Sequence, residues 1–168
     1  MTAQSIVKSF LTLAVSLAAC VFAGYKFWYA ALPGMPAWYE NLIKPIFSAP
    51  SWVFSPVWMV SFVLMGLVLF FILQSGVSQR DVSFGLILFA LQLVFTLVWA
   101  YAFFGVHAIF IAFLCIIALW ATLISAIIQV FRFNVYGGML LVPCFLWVCY
   151  LAYLNYGIMV LNNYVFVI

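Results

Sequence analysis

GLILFALQLVF, residues 85–95, and AIFIAFLCIIALW, residues 108–120, decide the fold. Neither alternates apolar and polar residues, as the roughly 10-residue strands of a membrane barrel do. Both lie in 82–131, a run without one charged side chain, and two more uncharged runs, 45–79 and 133–168, flank it. A membrane-spanning helix takes about 20 mainly apolar residues, so each run holds at least one span. Within hydrocarbon the backbone must satisfy its own hydrogen bonds, which leaves helix bundles and closed barrels. The continuous apolar pattern selects helices.

Of the 168 residues, 71% are hydrophobic and 4% charged, against about 25% charged in ordinary soluble domains. So few polar groups cannot cover a soluble domain of this size. The sequence predicts an all-α integral membrane protein: one multi-pass domain, a five transmembrane helix bundle. Its helices fall at about 6–28, 56–73, 82–104, 108–130 and 137–161, with an ordered loop over 29–55. QSGVSQRD (74–81) is a polar turn, and Gly105-Val106-His107 is short enough to force its two helices antiparallel. Lys8, Arg80 and Arg132 fall on the N-terminal side, Lys26 and Lys44 on the other. That three-to-two bias puts the N-terminus in the cytoplasm under the positive-inside rule.

A second reading exists for the first span. Leu17-Ala18-Ala19-Cys20 has the form of a lipoprotein cleavage site, which would leave four spans and a lipid anchor. The apolar run continues through VFAGYKFWYAAL, which favours an intact first helix. The net charge of +3 is spread too thinly for a basic patch, so no nucleic-acid partner is expected. Cys20, Cys115, Cys144 and Cys149 all sit in apolar segments with no C-x-x-C pair, and are read as small hydrophobes rather than disulfides or metal ligands. No phosphate-binding, zinc-protease or nucleophile-elbow motif occurs. The single histidine, His107, reads as a turn residue rather than a haem ligand.

WYENLIKPIFSAPSWVFSPVW (38–58) carries three of the seven tryptophans and three of the six prolines. Proline fixes its own φ and discourages helix in the residue before it, so 32–55 is predicted as a stiff, mostly non-helical connection. Its aromatic residues fit two roles. One is an interfacial belt that anchors helix ends. The other is a lid over the bundle, with Lys44 placed to meet an anionic group.

Polar side chains inside spans tend to face the bundle interior. Gln92, Thr96, Trp99 and Phe103 share one face of the third helix, and Trp58, Phe62, Met65 and Leu69 one face of the second. Pro143, Trp147, Tyr150 and Leu154 share a face of the fifth, with Asn155 and Asn162 on a neighbouring strip. These residues either pack helices together, at roughly 0.6 kcal/mol per polar pair, or line an apolar pocket with a few placed polar groups. Ala118, Ala121, Thr122, Ser125 and Ala126 in the fourth helix suit close packing within the chain or between protomers.

Trp38, Tyr39, Leu42, Lys44 and Pro45, then Pro50, Trp52, Phe54, Pro56, Val57 and Trp58, resemble the loop motif of the tryptophan-rich sensory protein/translocator protein family. Gln92, Leu93, Trp99, Phe103 and Phe104 resemble its third-helix motif. Pro143, Trp147, Val148, Leu154 and Asn155 resemble its fifth-helix motif. The resemblance implies a five-helix bundle, commonly a homodimer. Its pocket is closed by the first loop and takes porphyrins such as protoporphyrin IX, related flat drugs and, in some members, sterols. The family's pocket aromatics fall on Trp38, Tyr39, Trp58, Phe62 and Trp147.

The departures are Ala49 for the second loop proline, Thr96 for an asparagine, Ala100 for a serine, Cys144 for a tyrosine and Leu151 for a small alanine. Ala49 implies a looser lid, and Leu151 extra bulk beside the ligand. Sterol binding is weakly supported. The forward motif has no match, and the reversed versions around Lys8, Lys44 and Arg132 are a pattern that an apolar chain produces by accident.

The resulting expectation is a porphyrin-binding protein of transport or sensing. Its ligand-binding residues are Trp38, Tyr39, Lys44, Trp58, Phe62, Gln92, Thr96, Trp99, Trp147, Tyr150 and Leu151. No catalytic residue, metal or resident cofactor is expected. Light-dependent porphyrin degradation at the tryptophans and modulation of a membrane partner stand as alternatives.

Overall fold

A computed structural model describes residues 3–31 and 37–162. Its helices are α1 (Ala3–Ala31), a single turn α2 (Ala37–Glu40), α3 (Ser51–Gln74), α4 (Arg80–Ala100), α5 (Ile109–Phe131) and α6 (Val135–Leu161). A π-helical turn, Tyr101–Gly105, extends α4. Five of these are long and apolar enough to cross a membrane. The five predicted spans are present, each within a few residues except at the start of the second.

That helix was expected from residue 56 and begins at Ser51. Pro50 caps it in an extended conformation and Pro56 lies inside it. A proline within a helix forfeits the bond from its own missing N–H and crowds the carbonyl four residues back. Here that residue is Trp52, which is exposed. Phe54, one turn in, is fully buried, and its packing holds the turn that proline would otherwise loosen. The connection is therefore shorter than predicted. Residues 29–31 belong to α1 and 51–55 to α3, while Pro33 and Pro36 lie outside the described residues.

The helices pack in a closed ring in the order α1, α3, α6, α5, α4 and back to α1. Small residues set the closest approaches. A Cβ on Gly66 of α3 would stand 3.0 Å from the Leu17 Cα of α1, and one on Gly24 would stand 2.8 Å from the Phe62 ring. The π turn closes with Val106 N–H donating to the Tyr101 carbonyl at 2.9 Å. Its extra residue per turn lets Ala102, Phe103 and Phe104 all face inward, and all three are buried. The chain then reverses at His107, which adopts φ +57°.

Candidate functional site

Two aromatic clusters fill the end of the bundle that carries the first loop. In one, Trp58 meets Phe27 at 4.3 Å, Phe62 at 5.8 Å and Trp99 at 6.0 Å between ring centroids. In the other, Trp147 meets Phe54 at 5.9 Å and stacks on Tyr150 at 5.1 Å. Phe54, Phe104 and Trp99 join the two clusters through contacts of 6.0 and 5.8 Å. The sequence placed Trp58 and Trp147 on two walls of one pocket. In this structure protein rings occupy the path between them.

The polar candidates fare differently. Trp99 Nε1 donates to Asn155 Oδ1 at 3.0 Å, and Asn155 Nδ2 donates to the Ile109 carbonyl at 3.2 Å. That chain ties α4 to α6 and to the start of α5, so the Trp99 indole N–H is engaged within the bundle. Thr96 Oγ1 is satisfied by the Gln92 carbonyl at 2.8 Å. Gln92 itself is fully buried, and both of its amide atoms lack a partner, as do Trp58 Nε1, Trp147 Nε1 and Ser16 Oγ. An unpaired buried amide costs about 1–3 kcal/mol, so Gln92 is the least explained polar group in the bundle. Leu151 is buried in the core. On the predicted α6 face Leu154 is buried, Trp147 and Tyr150 are half-buried, and Pro143 is exposed.

Two loop residues make bonds that the sequence did not predict. Lys44 was expected to meet an anionic ligand. Its Nζ instead donates to the carbonyls of Tyr39 at 3.0 Å, Glu40 at 2.8 Å and Leu42 at 3.2 Å, and lies 5.0 Å from the Tyr39 ring centre. All three ammonium donors are used, so Lys44 staples the loop. Ala49 was expected to loosen the lid. Its N–H donates to Tyr150 Oη at 2.6 Å, and its carbonyl accepts from Tyr39 Oη at 2.9 Å. Proline has no N–H to give, so alanine at this position adds a bond between the loop and α6.

Further clasps hold the same segment. Asn162 accepts from Ile43 N–H at 3.0 Å and donates to the Ile43 carbonyl at 2.8 Å. Pro45 lies on Gly157, where a Cβ would come within 2.8 Å of it. Trp38 stacks on His107 at 4.1 Å and meets Phe103 edge-on at 5.4 Å. Burial, with Tyr150 and Glu40 nearby, pushes the Tyr39 phenol well above its usual range. A hydrogen bond from the Ser51 side chain, helped by Lys44, holds the Glu40 carboxyl below its usual value. Glu40 thereby sits against the N-terminal turn of α3, where a negative charge meets the positive end of the helix dipole.

Trp58 and Phe62 do border open space. A groove of about 450 Å³ runs between α1 and α3, lined by Gly24, Phe27 and Trp28 on one side and Ser55, Trp58 and Phe62 on the other. Tyr25 and Met59, both more than 60% exposed, stand at its edge. No charged side chain lines it. Gly24 keeps it open, since any side chain there would run into Phe62. Sequence reasoning missed this wall because α1 was read only as a span. Gly24 and Trp28, one turn apart beside Phe27, were the available signal.

Among the described residues no group of three His, Cys, Asp or Glu side chains could hold a metal. The TspO/MBR family model matches residues 14–161. The chain belongs to the TspO/MBR family. It is 35% identical over 92% of its length to the tryptophan-rich protein TspO of Chlorobaculum tepidum, covering 98% of that protein. It is 31% identical to the tryptophan-rich sensory protein of Cereibacter sphaeroides over 74% of this chain and 77% of that one. Protein CrtK of Rhodobacter capsulatus is 27% identical over 89% of this chain and 91% of its own. This TspO/MBR member is thus a multi-pass integral membrane protein.

Proposed function

We propose that this protein takes a flat, mostly apolar ligand of the tetrapyrrole class from the bilayer into the groove between α1 and α3, for transport or sensing. The observation that carries the reading is Trp58. It lines the groove, and its indole N–H is buried without a partner. A binding site of this kind is apolar with a few placed polar groups, and Trp58 with Ser55 supplies them. Lys44 donates to its own loop carbonyls, and no cation is among the described residues that line the groove. The ligand's acidic groups would stay at the headgroup layer while its ring lies against Trp58 and Phe62.

Titration of the purified protein with protoporphyrin IX, followed by quenching of tryptophan fluorescence, tests this. Trp58→Phe removes the indole N–H and part of the ring, and the apparent Kd should weaken at least tenfold. A Trp147→Phe variant, outside the groove, should change it far less. Equal losses in the two variants would return the site to the space between the clusters. An unchanged Kd in Trp58→Phe would sink the proposal.

A further inference from the structure

α1 has 29 residues, which at 1.5 Å each gives a rod of about 43 Å. The hydrocarbon layer is about 30 Å thick, so the ends of α1 reach the headgroups. From Gln4 to Val15 no side chain of this helix is buried, and Ser16 is the first that is. Three turns of α1 thus stand beside the bundle with little protein against them. They border a shallow, open groove of about 620 Å³, to which α3 contributes Leu73.

The groove is graded along its length. Gln4, Val7, Lys8, Leu11, Thr12 and Val15 line it on the α1 side, their spacing of three and four placing them on one helical face. Gln4 and Lys8 lie at the membrane boundary with Val7 beside them. Leu11 and Val15 lie one to two turns deeper, where the one polar group, the Thr12 hydroxyl, is taken up by the Lys8 carbonyl at 2.9 Å. Lys8 is exposed, and the positive end of the α1 dipole lies at the same level. Arg80 and Arg132 stand at the same end of the bundle, against one acidic residue, Asp81. A partner helix would ask for apolar contact along the whole face. A phospholipid asks for a cation at the top and hydrocarbon below.

We propose that this groove holds one anionic phospholipid, its phosphate at Lys8 and an acyl chain along Leu11, Val15 and Leu73. The site lies at the opposite end of α1 from the Trp58 groove and does not depend on that groove's ligand. Bound lipid would supply the packing that the first three turns of α1 lack.

Native mass spectrometry of the full chain, equilibrated with equal amounts of phosphatidylglycerol and phosphatidylcholine of the same acyl chains, is the test. One phosphatidylglycerol should be retained in preference. Lys8→Gln should cut that preference about fivefold, the equivalent of the ~1 kcal/mol typical of one basic residue at an anionic surface. Val15→Trp, which fills the apolar end and keeps the lysine, should also lower retention. Arg80→Gln should leave the preference within twofold. Equal retention of the two lipids overturns the proposal, as does a preference that survives Lys8→Gln. Retention unchanged by Val15→Trp would reduce the site to a charged surface and overturn the groove. A lipid-free dimer that Lys8→Gln dissociates would assign the face to a second copy instead.

Discussion

The loop over 37–50 and the seam between α1 and α3 frame opposite sides of the same aromatic core, and they are held by different forces. The loop is fastened by directional bonds: Ala49 to Tyr150 and Tyr39, Ile43 to Asn162, and Lys44 to three carbonyls. The seam relies on shape, with Gly66 against Leu17 and Gly24 against Phe62. Lipid tails are as apolar as leucine, so contact of this kind in a membrane rests on close packing rather than on the hydrophobic effect. The loop is therefore held by bonds that survive small shifts of shape, and the seam by a fit between α1 and α3 that leaves no room for an added methyl group at Gly66.

The seam should be the more fragile of the two when a methyl group is inserted. At Gly66 the added Cβ meets the Leu17 backbone, which cannot turn aside. Gly66→Ala should lower stability in detergent by ~1–3 kcal/mol, the usual cost of overpacking, read as a fall in melting temperature. At Gly24 the obstacle is the Phe62 ring, which can rotate into the groove. Gly24→Ala should cost under half as much and weaken porphyrin binding instead. Equal stability losses at the two glycines would remove the distinction between a seam anchor and a groove opening.

Next in size is the loop. Tyr150→Phe strips the acceptor from Ala49 N–H and the donor from the Phe47 carbonyl. Leaving such groups unpaired costs about 1–3 kcal/mol when they are buried, and toward the lower end here because Tyr150 is only half-buried. Hydrogen exchange at Ala49 should quicken about tenfold. Ala49→Pro breaks the same bond from the other side, so the double variant should be no worse than the worse single one. Strict additivity would mean that the two residues do not act through this bond.

Much of this architecture could be read from the sequence because membrane spans are written in composition. Uncharged runs of sufficient length gave five helices, and the aromatic face of α3 and the polar face of α4 fall inside, with Leu69 alone of the α3 set only partly buried. Trp58, Phe62, Gln92 and Trp99 are all buried as their spacing required. Partnerships were not legible. Nothing in the string assigns Lys44 to its own loop carbonyls, because that bond depends on a turn closing within five residues. Ala49 misled for a related reason. Comparison with a proline registers lost rigidity, while the gained N–H matters only once Tyr150, 101 residues away, stands opposite. The α1 wall escaped because its inward residues are as apolar as its lipid-facing ones.

Gln92 sharpens the comparison from a third position, where neither bonding nor close packing accounts for a polar group. Gln92→Met keeps the volume and removes the orphan amide. Without ligand the variant should be as stable as the parent or up to ~1 kcal/mol more so, since an unpaired buried polar group is replaced by an apolar one. A loss of more than about 1 kcal/mol in melting experiments would mean that the amide has a partner, such as an internal water. Porphyrin affinity measured on the same variant then separates the roles. A weaker Kd makes Gln92 part of the ligand site, and an unchanged one leaves it as a packing defect of the empty bundle.

The smallest effect belongs to Glu40, which fastens α2 to the start of α3 from the solvent side. Its carboxyl is held below the ordinary value of 4.5, first by the Ser51 hydrogen bond and then by Lys44. A lowered value in the folded state means that the ionised form is favoured there. The stabilisation is present above pH 4.5 and is lost as the pH falls through the folded value. Melting temperatures of the parent and of Glu40→Gln should therefore differ slightly at neutral pH and converge in acid. The gap should also narrow with salt, because the group is exposed. A constant gap from neutral pH to pH 3 would show that the carboxylate charge is not what joins the loop to α3. The neutral hydrogen bond with Ser51 would then be sufficient, and the loop's fixity would rest on Tyr150, Asn162 and Lys44 alone.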